Sequence, residues 1–92
     1  MTPFTPPTAD QLLAIRVNAG IDELAREPRF AHAEADLVEA IVAGVGQFAA
    51  GEFAPLNRKG DLEGAKLENG VVRLPEGFEA AYHAYVEQGW NA

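Results

Sequence analysis

The residues of this sequence that could do chemistry are few, and His83 is the first of them. It lies four residues from Glu79 and four from Glu87, so a helix would bring both carboxylates beside the imidazole. The apolar pattern of the same segment places this group on the side away from Phe78, Tyr82 and Tyr85, facing solvent. Nothing there would exclude water or position a nucleophile. We therefore interpret the group as a surface charge cluster rather than a general base.

The other titratable residues do not form a site either. His32 has no second ligand at metal-binding spacing. Asp22 and Glu23 are consecutive on a predicted helix, so they point in different directions and cannot act together on one substrate. The chain has no cysteine, which excludes disulfides, thiolate chemistry and cysteine-based zinc sites.

Two further segments could bind an anion. Gly44–Gly51 (GVGQFAAG) is rich in glycine, but a phosphate loop must follow a strand and open a helix, whereas these glycines lie inside a helical pattern. We interpret them as sites of close helix packing or local kinking. The segment from Asn57 to Asp61 is a basic spot that could contact an anion such as a CoA phosphate, or cap a helix C-terminus. We favour the capping role and predict no catalytic, cofactor-binding or metal-binding residue.

Composition excludes several classes of function. The chain has 92 residues, enough for one domain or part of one, and its net charge is -7. Nucleic-acid binding and attraction to anionic membranes both require clustered Lys and Arg, so neither is expected. No signal peptide is visible, and no apolar run approaches the roughly 20 residues of a membrane span. A cytoplasmic location is the expectation.

The N-terminal part predicts an extended arm followed by short helices. Three prolines make residues 1–9 a Pro-rich arm, and Thr8 and Gln11 fit a capping box that would start a helix. Gly20 is expected to end that helix, and a second short helix would run to Pro28. One bent helix over 9–27 is the alternative, and we favour the break.

The central segment predicts a long amphipathic helix. Two parallel apolar rows follow helical spacing and form a wide face, as expected for a helix inserted between others. The rows are Leu37, Ile41, Val45, Phe48 and Val38, Val42, Ala49, Phe53. Pro55 removes a backbone donor and should kink this helix without necessarily ending it.

The C-terminal segment changes period and then returns to helix. Asn69-Gly70 between two short runs predicts a hairpin with a two-residue type I′ turn and strands of about three residues. The apolar spacing from Phe78 to Val86 predicts a last helix, with Gly89 as its C-cap and Trp90 packing back. The predicted fold is all-α: short N-terminal helices, a long kinked amphipathic helix, a small β-hairpin and a last helix.

An ordered series of motifs resembles the opening region of acyl-CoA dehydrogenases. In that family an amphipathic helix passes through an Ala-Pro-Leu element and ends in a polar stretch; a short crossing with a proline, an aromatic helix and a Gly-Trp pair come next. The corresponding segments are Ala54-Pro55-Leu56, Asp61–Gly64, Leu74–Phe78, Ala81-Tyr82 and Gln88–Trp90. The details are most similar to the branch that includes 3-methylmercaptopropionyl-CoA dehydrogenase-like enzymes, and the resemblance covers the chain from about Asp10 onward.

This resemblance implies the N-terminal helical part, residues 10–92, of an enzyme of fatty acid metabolism that oxidises the Cα–Cβ bond of an acyl-CoA with FAD. In the family the flavin-binding strands and the catalytic glutamate lie in later regions, so this chain alone is expected to be inactive and to bind no FAD. Its expected partners are the remainder of the enzyme and, through the Leu37–Phe53 helix, a second copy in a dimer. The alternative is an independent small acidic helical module for protein interaction.

Overall fold

The elements follow one another along the chain with short connections. A computed structural model describes residues 3–92. Five α-helices, a 3₁₀ turn, a π-helical turn and two strands account for the regular structure of these residues. In order they are α1 Thr8–Val17, α2 Ile21–Leu24, the 3₁₀ turn Pro28–Phe30, α3 Ala35–Phe48, the π-turn Ala49–Phe53, α4 Ala54–Glu63, β1 Lys66–Glu68, β2 Val71–Arg73 and α5 Phe78–Glu87. The predicted all-α fold with a small hairpin is confirmed.

The start of α1 differs from the prediction. Thr8 is the first helical residue, the N-cap is Pro7, and no side chain caps the helix, so the predicted capping box is wrong. The Gln11 N–H donates to the carbonyl of Pro7 at 2.9 Å instead. The helix begins one residue earlier than predicted, so Thr8 is its first helical residue rather than its N-cap, and the spacing of the capping box no longer applies. Of the predicted arm, the first two residues lie outside the described range.

The predicted break between the first two helices is confirmed. Gly20 has a φ of 63°, a left-handed conformation that glycine adopts cheaply and that ends any continuous helix there. The helix α2 is shorter than predicted, because it ends at Leu24. Pro28 does not terminate it but begins the separate 3₁₀ turn. A proline suits this first position, since its missing N–H would have no partner there.

A π-turn precedes the proline that the sequence marks as a kink. In a regular α-helix the Pro55 ring would clash with the carbonyl four residues earlier, that of Gly51. The wider turn over Ala49–Phe53 replaces that arrangement, and the Ala54 N–H donates to the carbonyl of Ala49, five residues back. The predicted kink is therefore confirmed, with the irregular backbone lying mainly before the proline.

The hairpin forms as the sequence predicts. Asn69 and Gly70 have φ of 51° and 78°, the two positive values that a type I′ turn requires. Lys66 pairs with Arg73, Leu67 with Val72, and Glu68 with Val71 in an antiparallel ladder.

A Schellman motif closes α5. Gly89 has a φ of 81°, and its N–H donates to the carbonyl of Val86 at 3.0 Å. The Trp90 N–H donates to the carbonyl of Tyr85 at 3.2 Å, which completes the motif. The predicted C-cap at Gly89 is confirmed, and the bond from Trp90 turns that residue back toward the helix.

The chain divides into two compact units. The N-terminal unit comprises residues 5–47, and the C-terminal unit comprises Phe48–Ala92 with Pro3 and Phe4. Among the described residues, Phe48 and Ala81 of the C-terminal unit are the only buried hydrophobic side chains, at 7% and 3% exposed, and no large side chain is fully buried. The core of this chain is therefore very small.

The surface that the chain leaves exposed is correspondingly large, at 7275 Å². A compact folded monomer of 9.8 kDa would expose about 5,200 Å², and two separate compact bodies of half that mass about 6,200 Å² together. The exposed surface of this chain is about 1,000 Å² larger than even the second of these two values. Much of this surface is apolar, since sixteen large hydrophobic side chains within residues 3–92 are exposed.

One stretch meets the criteria for a membrane-spanning helix. By length and composition alone, an 18-residue window within Pro28–Glu63 is apolar enough to cross a bilayer, which corrects the expectation that no run approaches that length. The core helix of a soluble protein meets the same criteria, so this single stretch is weak evidence for a membrane.

Candidate functional site

The best-packed part of the molecule is an aromatic cluster in the C-terminal unit. Phe48 lies at its centre, with ring centroids 5.1 Å from Phe53, 6.2 Å from Tyr85 and 6.4 Å from Trp90. In a regular α-helix, residues five apart point about 140° away from each other, so Phe48 and Phe53 could not meet. The π-turn brings them back to one side, where they pack edge to face.

An open apolar groove of about 820 Å³ borders this cluster. Its walls come from the π-turn, the start of α4 and the N-terminal residues of the chain. The lining residues are Pro3, Phe4, Ala49, Ala50, Phe53, Ala54, Pro55 and Asn57. Among the described residues that line the groove, Asn57 has the one polar side chain, an amide, so this part of the lining suits an apolar occupant.

A second groove, of 550 Å³, lies between α4 and the segment that leads into α5. Two glycines make this packing possible. A Cβ on Gly60 would lie 2.6 Å from the Cζ of Phe78, and a Cβ on Gly77 would lie 3.0 Å from Cδ2 of Leu56. Sequence reasoning missed both contacts. The spacing of Gly60 and Gly77 carries no local signal of them, because each contact joins residues far apart in the chain.

The titratable residues stand where the sequence places them. His83, Glu79 and Glu87 are all exposed, as a surface cluster would be. His32 is also exposed. Within residues 3–92, no three side chains of His, Cys, Asp or Glu come together as a metal site would require.

The basic spot does not cap a helix. Arg58 and Lys59 lie inside α4, which continues to Glu63, and the last turn contains no basic residue. At the end of α4 the Gly64 N–H donates to the carbonyl of Gly60 at 2.8 Å, so a backbone group rather than a basic side chain satisfies this carbonyl. The favoured capping interpretation is therefore wrong, because the helix extends a full turn beyond these two side chains.

The glycine-rich segment is a packing element. Gly46 is buried inside α3, and a Cβ there would lie 2.9 Å from Cβ of Pro6 in the same unit. This close approach confirms the packing interpretation for Gly46. The segment does not fit the phosphates of a dinucleotide, because it lies within α3 and the π-turn with no strand before it.

One row of the predicted apolar face of α3 is exposed up to Val45, whereas Val38 and Val42 of the other row are half-buried. Leu37, Ile41 and Val45 recur every fourth residue and form what we call the α3 stripe. Their exposed fractions are 46%, 50% and 36%. The expectation that this helix inserts between others is thus not met among the described residues, and the stripe is a candidate docking surface.

Comparison with known proteins identifies a similar sequence. No family model matches it. The sequence is 35% identical over 89 residues to the 3-methylmercaptopropionyl-CoA dehydrogenase of Ruegeria pomeroyi, a match that covers 97% of this chain. The resemblance to an N-terminal segment of an acyl-CoA dehydrogenase is confirmed. The chain spans only 15% of the length of that relative.

Proposed function

We propose that this chain is the N-terminal helical part of an FAD-dependent acyl-CoA dehydrogenase and is inactive by itself. The observation that carries the proposal is the 35% identity that extends over 97% of the chain while covering 15% of the relative. The small core supports it, because a segment that packs inside a larger enzyme need not bury its own apolar surface.

In this proposal the remainder of the enzyme supplies the chemistry. Oxidation of an acyl-CoA thioester at Cα–Cβ requires FAD as the hydride acceptor, and both the flavin site and the base would come from the rest of the enzyme. The described residues would contribute packing surfaces: the two apolar grooves and the α3 stripe. Separated from those partners, the chain would associate with a second copy through the Leu37–Phe53 helix. A cytoplasmic location is part of the same proposal.

The coding sequence beyond Ala92 gives the most direct test. An open frame that continues for several hundred codons with a dehydrogenase-like sequence would support the proposal. A stop codon immediately after Ala92 would favour the alternative, an independent acidic helical module that binds a partner protein.

A chimera tests the proposal at the level of activity. The matching segment of the Ruegeria pomeroyi enzyme would be replaced by this chain, and the purified protein assayed for bound FAD and for oxidation of 3-methylmercaptopropionyl-CoA. We expect the chimera to bind FAD and to be active, whereas deletion of the segment abolishes activity. A chimera as inactive as the deletion, next to an active control in which the enzyme's own segment has been reinserted, would contradict the proposal.

A further inference from the structure

The outer edge of β1 is open and self-complementary. Among the described residues the hairpin forms a two-stranded sheet, so β1 pairs with β2 on one side only. In a two-residue hairpin, Glu68 and Val71 close the turn as a hydrogen-bonded pair, so by alternation Leu67 and Val72 form a non-hydrogen-bonded pair. The backbone N–H and C=O of Leu67 therefore point outward from the sheet, toward whatever lies beside β1.

We propose that two copies of this chain associate through antiparallel pairing of β1 with β1 about a two-fold axis at Leu67. The two Leu67 residues would exchange both backbone hydrogen bonds. Each Lys66 would then stand opposite Glu68 of the other copy, which gives two complementary charge pairs. These flanking positions are non-hydrogen-bonded, where Cα atoms approach to about 4.5 Å and side chains interact most closely.

The charges favour this pairing over the other edge combinations. Pairing of β2 with β2 about Val72 would oppose Arg73 to Val71 and form no charge pair. Pairing of β1 with β2 of another copy in the hairpin's own register would oppose Lys66 to Arg73, two like charges. Such head-to-tail contact would leave a β1 edge free to add a further copy, whereas the β1 pairing uses the β1 edges of both copies and stops at two.

Pairing with a second copy would stabilise the hairpin in two ways. Within one copy, Lys66 already lies opposite Arg73, which is destabilising, and Glu68 from a second copy would offset it. Leu67 and Val72 are 73% and 63% exposed, so neither is covered in a single copy. Pairing would place four such side chains side by side on one face of a four-stranded sheet, and sheets of three or more strands are far more stable than isolated hairpins.

The interface is small, so covalent trapping is the suitable measurement. The chain contains no cysteine, and a single Leu67→Cys substitution places one thiol at the two-fold axis. Paired residues in adjacent strands have Cα atoms about 5.5 Å apart, within disulfide range. Val72→Cys is the matched control, since Val72 is similarly exposed but would lie three strand spacings, about 14 Å, from its counterpart. Both variants carry Ile41→Glu, so that contact through the α3 stripe cannot bring the thiols together.

We expect Leu67→Cys to form disulfide-linked dimers at least tenfold faster than Val72→Cys under the same mild oxidation. Equal rates would overturn the proposal.

Charge reversal in the Leu67→Cys chain gives the second arm of the test. Lys66→Glu and Glu68→Lys should each slow dimer formation about tenfold, and the two together should restore it, because the pairs become complementary again. Lys66→Glu also removes the like-charge pair within the hairpin, so slower cross-linking could not be attributed to a lost hairpin. Arg58→Glu makes the same charge change in exposed α4 and should have no effect. Failure of the double variant to recover, with unchanged circular dichroism, would refute the β1 pairing while leaving the proposed function untouched.

Discussion

The contact between Gly60 and Phe78 allows a sharp test of how the C-terminal unit packs. Replacing a helical glycine with alanine normally stabilises a helix by about 0.8–1.0 kcal/mol. At Gly60 the new Cβ would lie 2.6 Å from the tip of the Phe78 ring, so the ring must move. Overpacking of this kind costs about 1–3 kcal/mol, which outweighs the helical gain. We expect Gly60→Ala to lower the free energy of unfolding by about 1 kcal/mol.

The matched control is Gly51→Ala, whose Cβ would lie more than 4 Å from the described residues outside its own helical turn. Thermal unfolding followed by circular dichroism should place the two variants roughly 2 kcal/mol apart, about 8 °C or more in melting temperature for a chain of this size. Phe78→Leu removes the atom that clashes. In that background Gly60→Ala should become neutral or stabilising, giving a coupling of about 1 kcal/mol or more in a double-mutant cycle. If Gly60→Ala raised the melting temperature as much as Gly51→Ala does, the reasoning would be refuted.

Three other measurements test the remaining features. Gly70→Val should destabilise the fold by about 1 kcal/mol or more, because a β-branched residue fits a φ of 78° poorly; a thermal melt that does not change would count against the strain. The purified chain should neither turn yellow with FAD nor reduce a dye with any acyl-CoA; stoichiometric flavin binding would contradict this. In sedimentation equilibrium the chain should self-associate and Ile41→Glu should weaken the association, whereas a clean monomer unaltered by that change would show that the α3 stripe is already covered.

The features that the sequence predicted correctly are those with local physical causes. The Asn69-Gly70 turn, the break at Gly20 and the Gly89 cap all depend on the backbone freedom of one or two residues, which the residue type reveals directly. The apolar spacing likewise located α3 and α5. The capping box is predicted from a local pattern and is still wrong, because α1 begins at Thr8 itself and Pro7 occupies the N-cap position.

The features that the sequence did not predict depend on contacts between distant residues. Nothing near Gly60 in sequence indicates that Phe78 packs on it. The apolar face that includes Leu37 predicts a helix inserted between others, but whether that side chain meets another helix depends on segments distant in sequence. The candidate site shares this limit. The sequence correctly predicts that His83 lies on the surface. The aromatic cluster around Phe48 depends on a π-turn, which the spacing of apolar residues in a helix does not reveal.

The π-turn has a consequence for how relatives of this chain could vary in length. Deleting one residue between Phe48 and Phe53 would leave the two aromatic rings four positions apart, so a regular α-helix would keep them in contact. The same deletion would return the Pro55 ring to a regular helix, where it clashes with a carbonyl. The extra residue of the π-turn thus avoids the clash of the Pro55 ring with a carbonyl, whereas the contact between the two aromatic rings does not require it. Among homologous chains, a one-residue gap here should therefore coincide with loss of the proline, so that insertion and proline are inherited or lost together.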